Sequence, residues 1–259
     1  MKLSTMKDWF VTPSAVRTAP TGFRSAAKTH IGLVRSVNED RLLDRPDCGL
    51  WAVADGMGGH QGGDVAATLA VRALDDMANA GKLTADDVAS ALADVNRRII
   101  EQFSGNGSSG CTVAGILAGA GGATVFWIGD SRVYRYRAGT LDLLTHDHSL
   151  VQEFVDAKVL TPDQARRHPQ ANVVTRALGA SSVAQLDFVK IEMLPGDRFL
   201  ICTDGLWGVI ADLPLAAAIF GEANAIVERL TEAALQAGGV DNMAMILIDE
   251  ASKEPVGRA

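Results

Sequence analysis

The order of elements in this chain predicts an α+β fold in which helices pack on antiparallel sheets. Short apolar runs come in batches instead of alternating strictly with helices, several are joined by turns that contain glycine, and the long amphipathic segments stand between the batches. Leu50–Ala54 is the first clear strand. The apolar positions Ala66, Leu69, Ala70, Ala73, Leu74 and Met77 then line one face of a helix over Gly63–Ala78. Val88, Leu92, Val95, Ile99 and Phe103 do the same over Thr84–Phe103, with Thr84 as N-cap and Asp86 and Asp87 in the first turn. Strands follow over Cys111–Ala118, Ala123–Ile128 and Arg132–Arg137, then over Phe188–Met193, Arg198–Thr203 and Met243–Ile248, with a helix over Ala223–Ala237 before the last. Residues 147–180 are polar and helix-forming in pieces, and read as a lid-like insertion on one domain.

Composition narrows the function classes. The chain has 259 residues, 47% apolar and 21% charged, as a soluble globular protein does. Its net charge of −7 argues against a nucleic-acid partner, since that binding rests on neutralising phosphates. No apolar run is long enough for a membrane span, and Met1–Lys7 lacks the apolar core of a signal peptide. Pro13, Pro20 and Gly22 break any helix near the start, so residues 1–23 are expected to be a loosely ordered lead and 251–259 a tail. Cys48, Cys111 and Cys202 have no close pairing and suit a reducing cytoplasm.

The acids carry the chemistry. Three apolar strands run into an aspartate beside a glycine: Asp55-Gly56, Asp204-Gly205 and Gly129-Asp130. A fourth acid, Asp241, precedes Asn242 and the last strand. Each Asp-Gly alone also reads as a hairpin turn. Together, buried carboxylates at converging strand ends would repel one another unless a cation sits among them. Oxygen donors without a Cys/His cluster point to a hard ion, Mg²⁺ or Mn²⁺. Arg35-Ser36-Val37-Asn38-Glu39-Asp40 adds a guanidinium beside further acids. It reads either as a salt-bridged turn or as Arg35 gripping a phosphoryl group while Glu39 and Asp40 hold metal-bound waters.

In this order, Arg35-x-x-Asn38-Glu39-Asp40, Ala54-Asp55-Gly56-Met57-Gly58-Gly59-His60, Gly110-Cys111-Thr112, Ile128-Gly129-Asp130-Ser131-Arg132, Thr145-x-Asp147-His148-Ser149, Asp204-Gly205 and Asp241-Asn242 resemble the metal-dependent protein phosphatase family, the type 2C Ser/Thr phosphatases, in its bacterial form. The resemblance spans residues 24–250. It implies a four-layer α-β-β-α sandwich and a binuclear Mn²⁺/Mg²⁺ centre that activates water against phosphoserine or phosphothreonine. Asp55 would bridge both ions and Gly56 would lend its carbonyl. Asp204 and Asp241 would complete one shell, and Glu39 and Asp40 would act through water on the other. Asp130 with Asp204 matches a third, weaker site, and residues 147–180 would be a mobile flap. Met57 stands where eukaryotic relatives carry a histidine that could serve as general acid, so that role is unassigned, and His60 does not inherit it. His146 and His148 read as turn and flap contacts.

The expectation is a monomeric cytoplasmic phosphoprotein phosphatase whose partners are phosphoproteins and a cognate Ser/Thr kinase. A degenerate domain that only binds phosphoproteins is the first rival, but none of its acids is missing. A metal-dependent nuclease is the second, disfavoured by the acidic balance.

Overall fold

The structure is a computed structural model and describes residues 17–18, 22–58, 62–104, 109–119, 122–210 and 219–250. Strands β1 (Arg17–Thr18), β2 (Phe23–His30), β9 (Arg132–Arg137), β10 (Thr140–Leu143), β12 (Arg198–Cys202) and β13 (Met243–Glu250) make one sheet, in the order β1-β2-β13-β12-β9-β10. Strands β3 (Arg41–Arg45), β4 (Leu50–Ala54), β7 (Val113–Gly119), β8 (Gly122–Ile128) and β11 (Asp187–Ile191) make the second, in the order β11-β8-β7-β4-β3. All pairings within both are antiparallel. A small ribbon of β5 (Gly56–Met57) and β6 (Gly110–Cys111) lies at the end of β4.

Alternation along the strands builds the layers. In β4, Leu50, Ala52 and Ala54 face α1 (Gly63–Asn79) and α2 (Ala85–Phe103), packing with Leu74, Leu92 and Ile99. Trp51 and Val53, pointing the other way, meet Phe199, Ile201 and Ile246 of the first sheet. The far side of that sheet, through Leu200, Met245 and Leu247, buries α5 (Asp204–Ile210) by Leu206 and α6 (Ala223–Gln236) by Ile226 and Leu230. Side chains at successive strand positions point to opposite faces, so one run of apolar residues serves two cores. The result is helices, sheet, sheet, helices: the four layers expected.

Helix α2 starts as its sequence dictates, with the Thr84 hydroxyl accepting from the Asp87 amide and the Asp87 carboxylate returning to the Thr84 amide. Three departures have physical causes. Arg17–Thr18, inside the expected lead, pairs with β2, whose first residue is Phe23; residues 1–16 and 251–259 lie outside the described residues. Strand β3 escapes a hydropathy reading because only Leu42 and Leu43 are apolar. Asp204-Gly205 opens helix α5 and is not a hairpin turn. Within the 147–180 segment, helices α3 (Leu150–Asp156) and α4 (Pro162–Arg166) form, the second with Thr161 as cap and Pro162 in its first turn. No helix among the described residues is long and apolar enough to cross a membrane.

Candidate metal centre

Each acid is fixed by the strand or helix that carries it. Asp55 follows β4, where its carbonyl accepts from the Thr112 amide at 2.8 Å and its amide donates to the Thr112 hydroxyl at 3.3 Å. Behind it, Gly56 meets the start of α1 so closely that a Cβ would lie 2.3 Å from the Gly63 carbonyl oxygen. A Cβ on Gly63 would in turn lie 2.8 Å from Glu39 Oε1. Glycine at both positions lets strand, helix and the Glu39 carboxylate share one point.

The Asn38–Asp40 segment is held from several sides. Asn38 Nδ2 donates to the Thr29 hydroxyl (2.9 Å), and the Asp40 amide donates to Asn38 Oδ1 (3.1 Å). Arg41 Nη1 donates to the carbonyls of Asn38 and Asp40 at 2.7 and 2.8 Å. Asn242 ties this segment to the far end of the chain. Its Oδ1 accepts from the Glu39 amide (2.9 Å), and its Nδ2 donates to the carbonyls of Ile31 (2.8 Å) and Val37 (3.0 Å). Thr203 does the same for Asp40: its hydroxyl accepts from the Ala244 amide and donates to Asp40 Oδ2, both at 2.8 Å.

Asp204 heads α5, with Gly205 pressed against β13's approach; a Cβ there would lie 2.0 Å from the Asn242 carbonyl oxygen. Asp130 follows β8 after Gly129, whose φ of 107° and contact with Thr112 exclude a side chain. The Gly129 amide donates to His148 Nδ1 at 3.1 Å, which roots the 147–180 segment beside the acids. Asp147 completes that root by accepting from Arg132 Nε (2.9 Å) and Nη2 (2.7 Å). His146, by contrast, bonds Asp156 within the segment. His60 lies outside the described residues.

The cleft so formed has a volume of about 380 Å³. Arg35, Glu39, Asp55, Gly56, Asp130, Asp204 and Asp241 line it, joined by Met57 and, from the 147–180 segment, by Asn172 and Val174. Of the sequence-predicted site residues only Asp40 is not on its wall; it lies behind, 2% exposed, bonded to Thr203. Among the described residues no three carboxylates stand preformed as an ion cage, although Asp55 and Asp204 meet side chain to side chain. Asn242, Thr203 and Thr112 are the residues that sequence reasoning left without a role. The motifs Asp241-Asn242 and Gly110-Cys111-Thr112 contain two of them, but only the partners from distant strands reveal what they do.

Electrostatics says what the cleft lacks. Burial pushes Asp40 and Asp55 well above the usual carboxylate range, with Asp204 and other neighbouring acids adding repulsion. Burial and Asp204 lift Asp130 to about 8. Burial raises Asp204 too, with Asp241 second, and raises Glu39, with Asp64 second. The Arg35 guanidinium, the cation on the cleft wall, is spent on Asp241 at 2.7 Å. A cluster of buried carboxyls that resist ionisation next to one another is matched by a dication, which reverses both causes. The donors are all oxygen; Cys111 nearby is fully buried and its thiol is pushed up by burial. The donor set therefore fits Mg²⁺ or Mn²⁺ and not a thiolate-bound metal.

The Protein phosphatase 2C family profile matches residues 34–244. The chain belongs to that family. Among protein phosphatase 2C relatives, it is 37% identical over 233 residues to the serine/threonine protein phosphatase PstP of Mycobacterium tuberculosis, covering 87% of this chain and 45% of PstP, so it spans about half of that relative's length. The structure of PppA, described as a key regulatory component of T6SS in Pseudomonas aeruginosa, superposes with a TM-score of 0.80 at 38% identity, over 90% of this chain and 98% of that one. The PstP catalytic domain in complex with two manganese ions superposes with a TM-score of 0.77 at 34% identity, over 88% and 97% of the two chains.

Proposed function

We propose that this chain is a Mn²⁺- or Mg²⁺-dependent protein phosphatase acting on phosphoserine and phosphothreonine, with its catalytic unit over residues 24–250. The observation that carries the reading is the set of buried, mutually repelling carboxyls beside Arg35 at one end of the paired sheets. Family membership and the manganese-bound PstP domain support it. When bound, two such ions supply an activated water and neutralise phosphoryl charge.

The chain's own residues do the rest. Asp55 would contact both ions, with the Gly56 carbonyl beside it, Asp204 and Asp241 on one ion, and Glu39 and Asp40 on the other through water. Asp130 with Asp204 would offer a third, weaker place. Arg35, half exposed on the rim, would hold the phosphoryl oxygens through two parallel N–H donors. Met57 carries no proton to give, so the leaving hydroxyl would take its proton from water. Residues 147–180, rooted by Asp147 and His148, would act as the flap over the cleft. A monomeric cytoplasmic enzyme that opposes a Ser/Thr kinase, and takes that kinase's targets as substrates, completes the proposal.

Hydrolysis of p-nitrophenyl phosphate and of a phosphothreonine peptide, with Mn²⁺ and with EDTA, tests it. Turnover is expected only with the ion, and Asp55→Asn should abolish it even at high Mn²⁺. Turnover that survives chelation would overturn the metal reading, and binding of phosphopeptide without turnover would favour a degenerate domain.

A further inference from the structure

On the two loops that carry Arg35 and Asp241 to the cleft wall, aliphatic side chains stand in water. Leu33 is 66% exposed, Val34 68%, Val37 50% and Val240 68%. They come from two loops that the fold locks together. The Leu33 amide donates to the Gly239 carbonyl at 2.7 Å, and the Asn242 side chain fastens the carbonyls of Ile31 and Val37. Gly32 has a φ of +81°, and a Cβ on it would lie 2.4 Å from the Asp241 carbonyl oxygen. Leu33 lies over Gly239, where a Cβ would meet its Cγ at 3.0 Å. The patch is thus preformed, and ordering it costs little on binding.

Solubility alone would place polar residues here, yet Ile31–Val34 and Gly238–Val240 contain no charged side chain. The same two loops bring Arg35 and Asp241 into the cleft wall, so Leu33, Val34, Val37 and Val240 each stand one or two residues along the chain from a lining residue. A phosphoresidue gripped at Arg35 carries its neighbours outward at roughly 3.3–3.6 Å per residue. The residues one to three places away therefore come within reach of the loops that bear Val34, Leu33 and Val240. An aliphatic side chain there loses its exposed surface to the patch, whereas a charged one gives up hydration for nothing.

Resting on the phosphatase reading above, we infer that this patch is a substrate-docking surface that selects phosphoproteins with an aliphatic residue within three places of the phosphoserine or phosphothreonine. Two phosphothreonine peptides test it, identical except that Leu and Val flank the phosphoresidue in one and Ser and Gln in the other. The unsubstituted protein should favour the apolar peptide by roughly 10-fold in kcat/KM, as expected for a methylene-scale apolar contact. Leu33→Ser with Val34→Ser, and separately Val240→Ser on the other loop, should each shrink that preference while p-nitrophenyl phosphate turnover stays unchanged. Equal use of both peptides by the unsubstituted protein overturns the inference, as does an undiminished preference in both variants. So does loss of p-nitrophenyl phosphate turnover in both variants, which would make the loops structural. A variant that turns a dimer into a monomer with its preference intact would make the patch a self-association surface and overturn the inference as well. Failure of the unsubstituted protein to hydrolyse any of the three substrates with Mn²⁺ would overturn the phosphatase reading itself, and the docking surface with it.

Discussion

Arg35 Nη2 donates to Asp241 Oδ2 at 2.7 Å, across 206 residues of sequence. The sequence offered Glu39 and Asp40 as salt-bridge partners for this arginine, and the fold instead gives it an acid proposed to hold metal. The pair is half exposed on the arginine side, so its own contribution is small, and an ion can displace it.

Arg35 should therefore have two opposed effects. Removing it deletes a charge-assisted fork worth roughly 1.5–3 kcal/mol, so Arg35→Ala should raise KM by about 10- to 150-fold. The same change frees Asp241 and removes a positive neighbour, so half-saturation by Mn²⁺ should fall a few-fold, as expected from an exposed pair worth up to about 1 kcal/mol. Arg35→Lys should restore part of the KM loss, because a point charge cannot reproduce the fork. Initial rates over a grid of substrate and Mn²⁺ concentrations read both effects. A KM that does not move would remove Arg35 from the phosphate.

Gly205→Ala should damage the centre without touching a ligand. Its methyl would lie 2.0 Å from the Asn242 carbonyl, which is backbone and has no way to yield cheaply. Overpacking of this kind costs about 1–3 kcal/mol. The strain falls where Asn242 positions Glu39 and Asp241, so Mn²⁺ affinity should drop together with Tm. Calorimetric titration with Mn²⁺ alongside thermal melts checks this. A lower Tm with unchanged Mn²⁺ affinity would show that Asn242 is not shared between stability and site.

These two cases mark how far the sequence could be read. Leu50–Ala54 and Arg198–Cys202 were legible because an unbroken apolar run has few uses other than a strand buried on both faces. Strand β2 was not, since Ser25, Ala26 and Ala27 bury surfaces too small to stand out, and its Lys28 is paired with Glu228 from a helix about 200 residues on. Asp55, Asp130 and Asp204 were legible because each follows such a run beside a glycine, and Asp241 because it stands with Asn242 just before one. Their supports were not. Thr203 reaches Asp40 across 163 residues and Asn242 reaches Glu39 across 203, and no local pattern encodes a bond that only the closed sandwich creates.

His148 should make stability depend on pH. Its Nδ1 accepts the Gly129 amide, so the proton sits on Nε2, which faces Asp187 Oδ2 at 3.1 Å. Burial lowers its pKa; Asp187 pulls the other way, and the nearby Arg176 guanidinium lowers it further. A folded pKa below that of the unfolded chain gives a contribution that is full above about 6.5 and is lost as pH falls through the folded value. His148→Asn keeps an acceptor without a titrating ring. The Tm advantage of the unsubstituted protein over this variant should narrow between about pH 7.5 and about pH 5. A constant gap would mean that His148 does not titrate in this range.

The ion pair of Arg132 with Asp147 links the root of the 147–180 segment to the helix that carries Asp204. The Asp147 side chain is 5% exposed and that of Arg132 18%, with the guanidinium carbon 3.6 Å above the Trp207 ring of α5. Asp147→Asn would leave a buried arginine without its charge partner, and losses of about 3–5 kcal/mol are typical of that situation. Removing both charges, as Arg132→Met with Asp147→Leu, should cost less than the single change, because desolvation disappears with attraction. Chemical denaturation of the single variants and the double variant gives the coupling directly. Since Trp207 and Asp204 share one short helix, the single variant should also bind Mn²⁺ more weakly. A double variant as unstable as the sum of the single ones would show that Arg132 and Asp147 act independently, and that the helix holding Asp204 is steadied by its apolar contacts alone.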